Sequence, residues 1–466
     1  MYGMNWSVQN IQGSNAQDIA SSIETSLRSG ELQAGDALPA VRHLATQLGV
    51  NPNTVAAAYA RLRDAGRLVT SGRRGTRVAG EAVQMPAAYV VPQGLRDLAS
   101  GQVDPALLAQ PRAAAWGKLR AFLAPQTVEA SGASNASKAG AAATGELGDD
   151  EELLAITGEW LQAQGIAPQS SVGVFSSTLD TIERALRQHA RPGDRVAIED
   201  PCWPPLLALL RSLRLRPVPL SVDAQGVQVP AAGVLAGCAA VVLTPRAHNP
   251  TGANLRGDRW RALRKQLRGC PNTLVVFNDY WGLLGDTAFV AGSNALPPHW
   301  LYVMSLGKAL GPEMRVCIAA GPADLVEGMR AHQALGPRKV SLWLQRLAAL
   351  LWRQAAKGRG RGSFAHMRSA YAARRSALLA ELHKHGVAQE VDASGEGLHL
   401  WIAVPDELTV VQAMASRGWA VQAGGPMSLM NAPAIRISVG QVDKRDAKRL
   451  AADLAAALSL QVRAVY

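Results

Sequence analysis

The stretch WLYVMSLGKALGPEMR, residues 300–315, sets an ionisable amine directly behind an apolar run. WLYVM reads as a buried strand, and Lys308 follows its end. An ammonium in that position is costly unless it is paired or chemically used. Lys308 is therefore either a surface charge at a strand end or a nucleophile for a carbonyl. The sequence around it decides between the two.

Upstream, short apolar β-branched runs alternate with helix-like segments. VGVF (172–175) precedes TLDTIERALRQHA, and RVAIED (195–200) precedes PLLALLRSLR; AAVVLTP, TLVVFND and LYVMS follow. This alternation predicts a mainly parallel sheet covered on both faces, whose ligands lie beyond the carboxyl ends of the strands. A polar cluster stands at each such end. After the first come Ser176, Ser177 and Thr178, and after the second Pro201-Cys202-Trp203. After the third comes His248-Asn249-Pro250-Thr251-Gly252; the fourth ends in Asn278-Asp279-Tyr280-Trp281, and the fifth in Ser305, Lys308 and Arg315. Singly, each has an ordinary reading as a turn, a cap or a core aromatic. Together they supply an amine for an aldehyde, a carboxylate for a pyridinium nitrogen, a donor for a ring oxygen, an aromatic lid and a phosphate cup. Those are the requirements of a pyridoxal 5'-phosphate (PLP) site.

The first eighty residues have a different grammar. Ile19, Ile23 and Leu27 recur at helical spacing until Gly30. AVRHLATQL forms a short helix ended by Gly49, and Asn51-Pro52 opens the next. Two short helices joined by a glycine turn make a helix-turn-helix, and RLVTSGRRGTRVAG reads as two strands around a basic tip. The spaced pattern runs G-x-L-x-x-G-D-x-L-P (30–39), R-x-L-A (42–45), L-G-V-x-x-x-T-V (48–55) and A-Y-x-x-L (58–62), then Gly75-Thr76. This pattern resembles the GntR family of bacterial winged-helix regulators. The resemblance implies that Asn51, Asn53 and Thr54 enter the major groove and that Arg42 contacts phosphate or a base edge. Arg73 and Arg74 at the wing tip would reach backbone or minor groove. Asn51 also has an equal reading as a helix cap.

From about Leu95 onward, the order of strand-end clusters resembles the fold-type I PLP enzymes of the aspartate aminotransferase superfamily. That resemblance implies a large mainly parallel α/β domain and a smaller C-terminal α/β domain, with Lys308 forming the internal aldimine. Asp279 would pair with the ring nitrogen, Asn249 and Tyr280 with the ring oxygen, and Trp203 would stack on the ring. Ser176, Ser177, Thr178, Ser305 and Arg315 would hold the phosphate, and Arg436 in AIRISVG a substrate or effector carboxylate. The stretch FNDYW replaces the EDDY of close relatives. The register of Asp279, Tyr280 and Trp281 is therefore open by one place.

Head and body together resemble the MocR subfamily of GntR-type regulators. The organisation this implies is a winged helix at 1–80, a linker at 81–95, a PLP-binding large domain at 96–330, and C-terminal helices with a small domain at 331–466. The expected function is a homodimeric regulator of promoter DNA that senses PLP or an amino compound through an aldimine at Lys308. An active aminotransferase carrying a DNA-binding head is the alternative, and a repressor with a vestigial site is a third. The expected effector includes PLP itself, because the NDYWGLL stretch resembles members tied to vitamin B6.

Composition sets the remaining bounds. The net charge is +12, of which +3 lies in residues 1–80. The dense basic stretch at 353–375 reads as a solvated helix face and loop rather than a second nucleic-acid site. The four cysteines are scattered without CxxC spacing, as expected for reduced core thiols and for no metal. No apolar run approaches bilayer length and MYGMNWSVQN has no leader pattern, so a cytoplasmic protein is expected.

Overall fold

The computed structural model describes residues 11–33, 35–64, 67–70, 75–78, 91–123, 148–166, 170–292, 296–389, 391, 393–430 and 433–463. The head contains α1 (Ala16–Arg28), α2 (Val41–Leu48), α3 (Pro52–Asp64) and a hairpin of β1 (Leu68–Thr70) and β2 (Thr76–Val78). Asn15 caps α1 by accepting from the Asp18 N–H at 2.9 Å. Gly49 ends α2 at φ 66°, the left-handed conformation that turns the chain toward α3. Ile19, Ile23, Leu44, Val55 and Leu62 are buried and close a small core of their own.

The body opens with β3 (Arg96–Asp97), α4 (Ala113–Leu123) and α5 (Glu151–Ala163). Strand–helix units follow: β4 (Ser171–Phe175) and α6 (Thr178–His189), then β5 (Arg195–Asp200) and α7 (Pro204–Ser212). Next come β6 (Arg216–Asp223), β7 (Gly226–Val227), β8 (Cys238–Leu243), α8 (Gly257–Leu267) and β9 (Leu274–Asn278). The unit continues through β10 (Trp300–Ser305), α9 (Gly307–Leu310), β11 (Cys317–Gly321) and α10 (Ala323–Ala334). Two long helices, α11 (Leu342–Lys357) and α12 (Phe364–Lys384), lead to the smaller unit. That unit holds β12 (His399–Ala403), α13 (Glu407–Ala415), β13 (Trp419–Ala420), β14 (Gln422–Ala423), β15 (Ala434–Ser438) and α14 (Lys444–Arg463).

The large sheet runs in the order β4-β11-β10-β9-β8-β5-β6-β7. From β10 to β6 every pair is parallel. β11 is antiparallel to both β10 and β4, which leaves β4 pointing the same way as β10. The carboxyl ends of β4, β5, β8, β9 and β10 therefore open on one edge. Burial on both faces explains the continuous apolar runs: Val275 and Phe277 enter one core while Leu274 and Val276 enter the other. Each such side chain contributes about 1.5–3 kcal/mol.

The three-stranded sheet β12-β15-β14 packs against α12 and α14. β3 joins this smaller unit by pairing with β13, and Leu98 enters its core. The segment that first enters the body is thus anchored to its C-terminal unit, and residues 99–103 just after it line the mouth of the large sheet.

Candidate functional site: a cation-lined cleft at the strand ends

The strand ends open into a cleft of about 1830 Å³, bounded on its outer side by α1 and other parts of the head. Ser177, Thr178, Trp203, Asn249, Tyr280, Ser305, Lys308, Arg315 and Arg436 all line it. Nine of the residues expected from the sequence are therefore brought together. Eight of them stand at or after the carboxyl ends of β4, β5, β8, β9 and β10, which open on one edge, and Arg436 comes from β15 in the smaller sheet.

Lys308 sits in the short helix α9, and its Nζ donates to the Gly101 carbonyl at 2.8 Å. Burial, together with the positive charge of Arg436, pushes its ammonium down to about 8. Arg436, on β15, donates to Asn249 Oδ1 at 3.1 Å and to the Ala99 carbonyl. Its Nε is buried without a hydrogen-bond partner, and burial lowers the group to about 10. No carboxylate lies within ion-pair distance of Arg436 among the described residues. Gly101 has to be glycine: its φ is 70°, and a Cβ would meet His399 Cε1 at 2.7 Å.

At the other end of the cleft, Ser177 caps α6 by accepting from the Asp180 N–H at 3.1 Å, and Thr178 begins that helix. Ser305 Oγ accepts from the Gly307 N–H at 3.3 Å. Arg315 is exposed toward the cleft beside them. A helix N-terminus, three hydroxyls and a guanidinium thus gather at this end of the cleft.

Two expectations need correction. Ser176 does not line the cleft: Asp180 Oδ2 accepts from both its N–H (3.1 Å) and its hydroxyl (2.9 Å). Asp279 does not face the cleft either. It is fully buried, ion-paired with Arg246 through Nε–Oδ1 at 3.1 Å and a second, closer contact, and it accepts from Tyr302 Oη at 2.8 Å. Asn278 ends extended β9 and Asp279 directly follows it, so their side chains leave on opposite sides, and Tyr280 and Trp281 lie in the turn that the Gly282 N–H closes on the Asp279 carbonyl at 3.1 Å. Asn278 and Tyr280 point into the cleft, while Asp279 and Trp281 point to the opposite side, where Trp281 packs on Tyr371. Between Tyr280 and Trp281, the cleft residue is Tyr280. Its hydroxyl donates to the Ala247 carbonyl at 2.5 Å, and burial raises its pKa so that the phenol stays protonated.

Sequence reasoning missed Asn278, His399 and the Arg246–Asp279 pair. His399 lines the cleft with Nδ1 3.0 Å from Ser438 Oγ. Burial and the neighbouring cations Arg436, Lys308 and Arg375 hold its imidazole well below its usual range. The adjacent polar residues in FNDYW were the available signal, since two consecutive polar side chains on an extended strand must face opposite ways.

In the head, Asn51 Oδ1 accepts from the Asn53 N–H at 2.8 Å, so Asn51 caps α3. Arg42, Asn51 and Asn53 are exposed and Thr54 is half-buried, all around the first turns of α2 and α3. Arg73 and Arg74 lie outside the described residues.

Comparison with known proteins agrees with both halves. Residues 15–78 match the bacterial regulatory proteins of the gntR family, and residues 142–454 match aminotransferase class I and II. The vitamin B6 salvage pathway transcriptional repressor PtsJ of Salmonella typhimurium is 32% identical over 96% of this chain and 100% of that protein. The chain belongs to the MocR subfamily of GntR-type transcription regulators. A second relative of this MocR regulator is the pyridoxine biosynthesis transcriptional regulator PdxR of Corynebacterium glutamicum, 25% identical over 84% of each chain. Among solved structures, the α-aminoadipate aminotransferase LysN of Thermus thermophilus, complexed with N-(5'-phosphopyridoxyl)-L-leucine, matches with a TM-score of 0.66. It is 17% identical over 80% of this chain and 94% of its own. The kynurenine aminotransferase of Pyrococcus horikoshii matches with a TM-score of 0.65 at 18% identity, over 79% of this chain and 92% of its own. The body of this MocR regulator has the fold-type I architecture. Among the described residues, no helix is long and apolar enough to cross a membrane.

Proposed function

We propose that this regulator binds promoter DNA through its winged helix and takes PLP, or an amino compound presented to it, at Lys308. The observation that carries the proposal is the Lys308 amine, lowered to about 8 in a cleft that also holds Arg315 and Arg436. At pH 7 roughly a tenth of such an amine is neutral and nucleophilic, against well under a thousandth for an exposed lysine. The donor set fits PLP. Ser177, Thr178, Ser305 and Arg315 would hold a phosphate, and Trp203 would cover a ring face. Asn249, whose Oδ1 is taken by Arg436, has its Nδ2 left for a ring oxygen. Tyr280 can turn its O–H from Ala247 to the same atom. Arg436 would receive the carboxylate of an amino effector, a task suited to a guanidinium.

PLP, when bound, supplies an aldehyde on which the amine of Lys308 or of an effector can condense. The protein's part is to keep Lys308 deprotonated enough to react and to exclude water behind Trp203. For regulation, the ligand has to favour one arrangement of the heads over another. The names of the relatives PtsJ and PdxR support a link to vitamin B6, which makes PLP itself the first effector to test.

A homodimer belongs to the same proposal. Trp116 on α4 and Trp343 on α11 are 48% and 57% exposed on packed helices, an apolar surface suited to a second copy. Paired winged helices would then meet paired half-sites.

The deciding experiment adds PLP to the purified protein and follows visible absorption and operator binding together, with Lys308→Ala alongside. An absorption band in the parent, absent from the variant, with operator affinity changed only in the parent, is the expected result. A parent without a band, or a variant that responds equally, overturns the sensing role of Lys308.

A further inference from the structure

The floor of the cleft carries an amide where an electron-withdrawing use of a pyridine ring needs an acid. Asn278 ends β9, between β10, which leads to Lys308, and β8, which leads to Asn249. Its side chain is 6% exposed and faces the cleft, and its Oδ1 has no hydrogen-bond partner. Among the described residues, the acids lining the cleft are Glu24, on the head, and Glu407, which accepts from the Gly425 N–H at 2.9 Å. Neither stands at a strand end. The next carboxylate along β9, that of Asp279, points away and is held by Arg246 and Tyr302.

A pyridine nitrogen beside a carboxylate keeps its proton, because the opposite charge favours the pyridinium. Beside an amide, which carries no charge to hold a pyridinium, it accepts an N–H hydrogen bond from Nδ2 and remains neutral. A neutral ring withdraws electrons from an attached amine poorly, so the Cα–H of an amino compound held there is a weak acid and the compound stays intact. We infer that Asn278 is the ring-nitrogen partner of this pocket and keeps that nitrogen unprotonated, making the body a receptor for a pyridoxal-type ligand rather than a transaminase.

This rests on the reading that the cleft takes PLP, and the test separates the two. The protein is reconstituted with PLP labelled with ¹⁵N in the ring, and retention is measured from the visible band after gel filtration. The ¹⁵N resonance of the bound ring is then recorded for the parent and for Asn278→Asp, a substitution of nearly equal volume. The expected result is a pyridine-type shift in the parent and a pyridinium-type shift in the variant. Conversion of bound PLP to the pyridoxamine form by added amino acids should rise on the order of 10²-fold in the variant, the scale of one charge-stabilising group. A pyridinium-type shift in the parent overturns the role of Asn278 while leaving PLP binding intact. Loss of label on gel filtration overturns the PLP reading itself, and this inference with it. If Asn278→Asp fails to fold, the parent spectrum alone decides.

Discussion

The Lys308 ammonium donates a 2.8 Å hydrogen bond to the carbonyl of Gly101, which lies 207 residues earlier in the chain. That single bond, with no carboxylate at ion-pair distance among the described residues, leaves the charge under-compensated, and burial beside Arg436 lowers its pKa from 10.5 to about 8. Between those values the unfolded chain binds a proton that the folded chain has lost, so stability rises with pH across that window. Lys308→Met should therefore raise the melting temperature at pH 7. Its advantage over the parent should shrink from about pH 8 and vanish above about pH 10.5. Thermal unfolding of both proteins across this range checks it.

The same lowering controls reactivity. The rate at which PLP condenses on the apo protein should climb with pH through a midpoint near 8 before it levels off, and Arg436→Met should move that midpoint upward by removing a neighbouring positive charge. Stopped-flow absorption measured at several pH values reads the shift directly.

Asp279 and Asn278 are adjacent but should behave oppositely on substitution. Asp279→Ala leaves Arg246 buried without its counter-charge, a loss of about 3–5 kcal/mol. Asn278→Ala removes a side chain whose Oδ1 makes no hydrogen bond, and it should cost little. Urea denaturation would show a large drop in midpoint for the first and a small one for the second. Equal drops would contradict the opposite facing of Asn278 and Asp279.

The head separates its own two roles. Asn51→Asp keeps an oxygen acceptor for the Asn53 N–H, so helix stability should be unchanged, while added negative charge weakens operator binding. Arg42→Ala, at an exposed site, should lower operator affinity and reduce the salt dependence of binding by about one unit of log–log slope. Titrations at several salt concentrations, with melting curves of the same proteins, measure both.

Much of this was legible before any coordinates. A mainly parallel sheet follows from apolar β-branched runs alternating with helices, and the polar residues after each run then gather beyond the strand ends. The helix-turn-helix was legible because glycine, proline and asparagine punctuate it at fixed spacings. What failed to show was facing. A fully buried strand such as β9 has apolar residues on both sides, so hydrophobic pattern gives no phase, and Asp279 was assigned the side that belongs to Asn278. Arg246 was invisible for a related reason: its partner lies 33 positions away and is revealed only when β8 and β9 are placed side by side. Ser176 was misplaced by a local competition, in which Asp180 one turn into α6 captures its hydroxyl.

The carbonyls of Ala99 and Gly101 each hold one of the cleft's cations, Arg436 and Lys308 respectively. The chain thus carries its own competitor for the groups a ligand must engage. Occupancy then has a threshold: the apparent dissociation constant is the intrinsic one divided by the fraction of molecules in which these carbonyls have let go. With hydrogen bonds to charged groups worth about 1.5–3 kcal/mol each, that fraction is small, so under the proposed function the cleft would fill only when ligand is ample.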